Sequence, residues 1–252
     1  MSIRVAIRVS YPEQGNYNWH EALAAYTEVK HVEVAFYRPE LFLQRVTIEK
    51  VLAPFSTLPL RATSVHMAQA KVADFDTFLA VLRKTLSIAQ ALGCPLVVVH
   101  PTNARLAEVE SKIVGAVNPL LEQAGIILCW ETFSGRRRFL SDIKGIAAFC
   151  QRQRPYAACY DTAHLHKPQP AVLADIEAYA SHMGCFHLSN RSARQGQQHL
   201  PLRDADGDLN FREIIAAIAA RGFAGPLTLE YLPQHHKALI EDALWVHSLL
   251  RR

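Results

Sequence analysis

The chain has no GxGxxG and no GxxxxGK[ST], so neither a dinucleotide-binding turn nor a phosphate-cradling P-loop has support in it. No CxxC pair occurs. The five cysteines (Cys94, Cys129, Cys150, Cys159 and Cys185) are odd in number, and three fall inside strand-like apolar runs. That usage leaves a disulfide scaffold unsupported and fits reduced thiols packed as small hydrophobes in the cytoplasm. No apolar run is long enough to span a bilayer, and the opening MSIRVAIRVSYPEQG lacks a long apolar signal core. A low-complexity tract or a long Pro/Gly/Ser linker is also missing. One compact cytoplasmic domain over 1–252, without membrane contact, is expected. The excess positive charge is mild at +4. It admits an anionic substrate and does not demand nucleic acid.

What is present is a repeat of strand and helix. Apolar strand-like runs begin near Arg4, His31, Arg61, Pro95, Ile126, Ala157, Gly184 and Pro226, at steps of 27, 30, 34, 31, 31, 27 and 42 residues. Most steps are the length of one strand–helix unit. Between them, Asp76–Leu92 has apolar residues at three- and four-residue spacing and ends at Gly93. Leu106–Ala124, Ser141–Arg152, Ala171–His182 and Asn210–Arg221 follow the same pattern, the last with Asp208 or Asn210 as N-cap. Eight alternations predict an α/β class, and 252 residues match a single (β/α)8 barrel. An open doubly wound sheet is the alternative; its ligands would gather at a switch point. The 42-residue step holds a long polar segment, NRSARQGQQHLPLRDADGDLNF, expected to contact substrate.

Six of the runs end in a potential metal ligand or acid/base group: SVHMA at His66, LVVVH at His100, LCWET at Glu131, ACYDTAH at Asp161 and His164, GCFHLSN at His187, and PLTLEYL at Glu230. In a barrel these strand ends converge on one face, where barrel enzymes place their chemistry. Three carboxylates buried together without a cation would be prohibitive. Glu131, Asp161, His187 and Glu230 therefore predict a divalent metal site, with mixed oxygen and nitrogen donors that suit Mn, Mg, Co or Zn. His66 and His100 add imidazoles beside Glu131. A second, nitrogen-rich site bridged by that glutamate would favour zinc. One ion is expected, with ligands enough for two, and His164 and His199 are further candidates.

The pieces WET, YDTAH, HLSN and HLPL…DGDLNF, in this order, resemble the xylose isomerase-like barrel superfamily from about His31 to Leu232. That superfamily includes sugar isomerases and epimerases as well as endonuclease IV-type DNA repair enzymes. The resemblance implies that Glu131, Asp161, His187 and Glu230 hold a single metal. It implies further that Glu131 and Glu230 shuttle a proton through a metal-stabilised enediolate, and that His164 contacts substrate. The expected activity is isomerisation or epimerisation of a sugar, polyol or sugar phosphate. A keto-polyol dehydratase on the same barrel is an alternative.

The nuclease resemblance covers His66, His100, Glu131, Asp161, His164, His187, His199 and Glu230. It fails where Gln197 replaces an expected aspartate, and Met67-Ala68-Gln69 stands where those enzymes carry a DNA-contacting tyrosine. A zinc phosphodiesterase acting on abasic DNA is thus the alternative function, and only under it is nucleic acid a partner. Arg191 and Arg194, after HLSN, are expected to meet a substrate oxygen or phosphate, with His199 and Trp130 also at the substrate. Arg136-Arg137-Arg138 is a candidate anion clamp or a solvated loop. Homo-oligomerisation is compatible with such a barrel.

Overall fold

The computed structural model describes residues 2–15, 18–102, 106–134 and 140–251. Its strands are β1 (Arg4–Ser10), β2 (His31–Ala35), β3 (Arg61–His66), β4 (Leu96–Val99), β5 (Ile127–Glu131), β6 (Tyr156–Asp161), β7 (Met183–Leu188), β8 (Asn190–Ser192), β9 (Gln197–Leu200) and β10 (Pro226–Leu229). All but β8 and β9 form a closed parallel barrel, in the ring order β1-β10-β7-β6-β5-β4-β3-β2. The first and last barrel strands close the ring, with Val5 opposite Leu227 and Ile7 opposite Leu229. The expected (β/α)8 architecture is the one observed, and the open sheet is excluded.

Helices follow the strands: α1 (Trp19–Ala24), α2 (Pro39–Arg45), α3 (Ile48–Leu52), α4 (Phe75–Leu92), α5 (Leu106–Lys112), α6 (Asn118–Ala124), α7 (Ile143–Arg152), α8 (Gln169–Tyr179), α9 (Phe211–Ala220) and α10 (Ala238–Leu250). The long helix α4 starts where Asp74 accepts from the Thr77 N–H. It ends at Gly93, whose φ of 67° is a left-handed conformation that favours glycine. The helix expected over Leu106–Ala124 is interrupted by a π-helical turn at Ile113–Val117. Pro119 explains the interruption. Its ring would clash with the carbonyl four residues earlier, and a wider turn removes that clash.

Side-chain parity sorts the barrel into two layers. Trp130, Phe186 and Leu188 point outward into the core shared with the helices. Leu96, Val98, Cys129, Ala157, Cys159 and Cys185 point inward and form a separate apolar cluster under β4–β7. The other half of the interior is polar and equally buried: Arg8, Glu33, Ser64 and Thr228. Strand residues alternate between faces, so His66, His100, Glu131, Asp161, His187 and Glu230 continue the inward columns at the strands' C-terminal ends.

The long polar segment forms an antiparallel hairpin, β8–β9, followed by a turn-rich return. Asn190 ties it together. Its Nδ2 donates to the carbonyls of Leu202 (3.1 Å) and Leu209 (3.0 Å), and its Oδ1 accepts from the Leu209 N–H (3.0 Å).

Candidate metal centre

Three groups of potential ligands lie at the strand ends. His66, His100 and Glu131 form one, Glu131, Asp161, His187 and Glu230 a second, and Asp161, His164 and His199 a third; within each, the ligand atoms lie within 4.8 Å of one another. The groups share Glu131 and Asp161, so they are contiguous. Glu131, at the end of β5, is fully buried and surrounded by imidazoles. Its Oε2 lies 2.9 Å from His100 Nε2 and 3.1 Å from His66 Nε2. Its Oε1 lies 3.0 Å from His164 Nδ1 and 3.4 Å from His187 Nδ1.

Asp161 divides its two oxygens between structure and site. Oδ1 accepts from the N–H groups of Ala163 (2.7 Å) and His164 (2.9 Å), capping the turn after β6. Oδ2 is buried without a hydrogen bond and lies 3.2 Å from His164 Nδ1. Burial, together with the negative charges of Glu131 and Glu230, pushes the Asp161 carboxyl above its ordinary range. Glu230 Oε2 sits 3.0 Å from His187 Nδ1, while Oε1 makes a close ion pair with Arg8.

His187 is gripped from the far side as well. Its Nε2 lies 3.0 Å from Glu33 Oε1, and Glu33 Oε2 accepts a 2.6 Å hydrogen bond from the Ser64 hydroxyl. Burial opposes charge on His187, but Glu33, Glu131 and Glu230 outweigh it and hold the imidazole protonated well above the usual range. Arg8 and Glu33 were not among the expected site residues, yet they set its charge balance. The signal was available: a charged residue inside an apolar strand (AIRVS, HVEVA), at the parity that points inward.

His66 tests whether these residues fit a cation. Its Nδ1 lies 3.2 Å from the Met67 carbonyl and its Nε2 3.1 Å from Glu131. Both partners are acceptors, and a neutral imidazole has only one N–H. Burial and the charge of Arg8 hold His66 down to about 4, so protonation does not resolve the conflict. A cation beside Nε2 does, with Nδ1–H donating to Met67 as a metal-bound imidazole is normally oriented. The same need appears at Asp161 Oδ2. The donor set fits a divalent ion.

The hairpin brings His199 over the site. Its Nε2 is 3.0 Å from His164 Nε2, and its Nδ1 is 3.2 Å from the Ser189 hydroxyl. Its backbone is left-handed at φ 55°, a strained state for a non-glycine residue that concentrates at functional sites. Phe133 stacks on His164 with ring centroids 3.7 Å apart. It lines, with Gln69, Lys71, His100 and Thr102, a cavity of about 420 Å³ opening beside the cluster. A cavity of about 760 Å³ between α1 and α3 contains none of the ligand groups.

Three expectations are corrected. Trp130 does not face substrate: it is 0% exposed and packed between barrel and helices, on the opposite parity from Glu131. Arg191 is buried and committed to backbone, donating to the carbonyls of Thr162 (2.7 Å) and Lys167. Arg194 lies at the hairpin tip with a side chain 77% exposed, paired with Asp206. The hairpin's geometry thus spends Arg191 on backbone carbonyls, one of them next to Asp161, and leaves Arg194 at the exposed tip. Arg136, Arg137 and Arg138 lie outside the described residues.

The sequence profile of the xylose isomerase-like TIM barrel family matches residues 44–249, and the chain belongs to that family. No curated protein matches the chain in sequence. Among solved structures it is similar to a xylose isomerase-like TIM barrel protein from Mycobacterium smegmatis in complex with magnesium: 16% identity, 99% of this chain and 96% of that one, TM-score 0.74. It is likewise similar to an L-ribulose 3-epimerase, with 16% identity, 100% and 95% coverage and TM-score 0.75. A 3-keto-D-glucoside 4-epimerase from E. coli matches with 12% identity, 98% and 100% coverage and TM-score 0.73. Among the described residues no helix is long and apolar enough to cross a membrane.

Proposed function

We propose that the protein is a divalent-metal-dependent isomerase or epimerase of a sugar or polyol. The observation that carries the reading is the four-residue group Glu131, Asp161, His187 and Glu230 at the barrel mouth. Two solved neighbours being sugar epimerases supports it. When bound, a divalent ion would polarise a substrate oxygen and acidify the neighbouring C–H. The remaining work belongs to side chains. Glu131 and Glu230 approach from β5 and from the end of β10, three strands apart in the ring. From those two sides one carboxylate removes the proton from carbon and the other returns it. Glu230 keeps 14% of its side chain exposed, so it meets substrate at the mouth. His164 and His199 orient a substrate oxygen, and Phe133 covers the apolar face of the ring. Proton exchange from deuterated water into a panel of ketoses tests the reading. Glu131→Gln and Glu230→Gln should each reduce exchange by about 10²–10⁴-fold, the contribution typical of a general acid or base. Undiminished exchange in both would overturn it.

A second reading rests on a separate observation, the two further ligand groups sharing Glu131 and Asp161. Such adjacency suits a polynuclear zinc phosphodiesterase of the endonuclease IV type, in which more than one ion clamps a phosphate. Gln197 counts against a full third set, being a poor zinc ligand. Two or more zinc ions per chain by elemental analysis, with chelator-sensitive cleavage of an abasic duplex, would put this reading first. A single ion and no cleavage would remove it.

A further inference from the structure

At the end of the barrel opposite the ligand cluster, three neighbouring strands open on basic residues: Arg4 on β1, His31 on β2 and Arg61 on β3. They line one cavity of about 610 Å³, whose other wall includes the apolar Leu52, Phe55 and Leu92. A second cavity of about 290 Å³ shares His31 and adds Lys30, His247 and Arg251. Among the described residues lining either cavity, Glu28 is the one acidic side chain. No ion pair among the described residues engages Arg4, Lys30, Arg61 or Arg251. Arg4 Nε and His31 Nδ1 are moreover shut off from solvent without a hydrogen-bond partner.

This concentration is not explained by the fold. Buried polar groups find partners, and the unpaired Arg4 Nε and His31 Nδ1 beside the cavity point to a missing acceptor. The C-terminal end of α4 reaches the same cavity, where two of its last carbonyls are already occupied: Gln90 accepts from the Gly93 N–H and Ala89 from the Cys94 N–H. Two guanidinium groups and an imidazole around one space suit a tetrahedral dianion, because arginine recognises phosphate through paired N–H donors. The volume suits a small molecule, and the apolar wall suits an organic body attached to the phosphate.

We propose that this cavity is an anion site, remote from the reacting centre, that takes the phosphate group of a small phosphorylated molecule. The site does not depend on which reaction the barrel catalyses. Inorganic phosphate and phenyl phosphate, titrated into the full chain at constant ionic strength, test it through the His31 imidazole proton resonance, assigned by its loss in His31→Gln. That reporter is local, so phosphate held at the other face does not register. A saturable shift is expected, weakened at least tenfold in Arg4→Gln/Arg61→Gln, with circular dichroism confirming that the variant is folded. Arg61→Gln alone, exposed at the rim, should weaken it less and keeps the test open if the double variant fails to fold. Tighter binding of phenyl phosphate identifies an organic ester as the ligand, and equal binding identifies free phosphate; either supports the site. A linear shift matched by chloride, or saturation unchanged in Arg61→Gln and in the folded double variant, overturns it.

Discussion

His164 and His187 each stand among more carboxylate oxygens than one imidazole can satisfy, and this crowding makes cation binding a matter of proton exchange. Burial opposes charge on His164, but Asp161 and Glu131 push it up to about 9. In the metal-free protein both imidazoles are therefore protonated at neutral pH; an ion in the four-residue group must displace the His187 proton, and one in the Asp161–His164–His199 group the His164 proton. Metal affinity should fall as pH drops, with the His164 contribution developing below about 9. Calorimetry in two buffers of different ionisation enthalpy should show proton release on binding; none would mean that neither His187 nor His164 gives up a proton to the ion. Glu33 acts through His187. Glu33→Gln should cost about 10–100-fold in metal affinity, as lost outer-shell partners do, measured by competition with a chelating dye. Unchanged affinity would mean that the charge of Glu33 is not needed to orient His187. These two buried groups also mark the limit of what the sequence made legible. Strand-end ligands such as Glu131 and Asp161 were visible because a polar residue terminates an apolar run. Arg8 and Glu33 lie mid-strand, where only inward parity distinguishes them from a solvent-facing alternation.

At the scale of elements, the barrel strands and most helices were legible because their periods are clear, and observed strand starts fall within about a residue of those expected. The hairpin was not. Its placement depends on Asn190 bridging to Leu202 and Leu209, a long-range arrangement that no period encodes. That is why Arg191 and Arg194, close after HLSN in sequence, bond backbone carbonyls and Asp206 respectively. The hairpin is also fragile at one position. A Cβ on Gly207 would sit 2.2 Å from Asn190 Nδ2, so Gly207→Ala must dislodge the bridging amide. We expect a loss of about 1–3 kcal/mol, as for overpacked interiors, measured by urea denaturation. His199 should also lose its place beside His164, which would lower the number of ions bound by any group that uses it. A variant as stable as the parent would show that Asn190 relaxes freely. Trp130 was misplaced for a simpler reason: in a strand, the neighbour of an inward ligand faces outward.

For the whole molecule, the divided interior matters most. Under β4–β7 the barrel is filled by thiols and aliphatic side chains, and under β1–β3 and β10 by Arg8, Glu33, Ser64 and Thr228. Arg8 is the fixed cation of that half, pairing closely with Glu230 and lying 3.9 Å from Glu33. Arg8→Met should therefore destabilise the metal-free protein by about 3–5 kcal/mol, the cost of stranding buried charges, and destabilise the metal-loaded protein less. Thermal or urea unfolding with and without added divalent ion would check both; equal losses would mean that the ion does not share the charge balance. The ring closes between its first strand and its last, and the pair Arg8–Glu230 spans that seam. During synthesis, a chain that has yet to extend β10 already carries Glu33, Glu131 and Asp161, but lacks the seam that holds them in one ring. On the metal-dependent reading proposed above, a divalent ion would find its full ligand set only once the final strand has docked, so a filled centre would certify that the ring is complete.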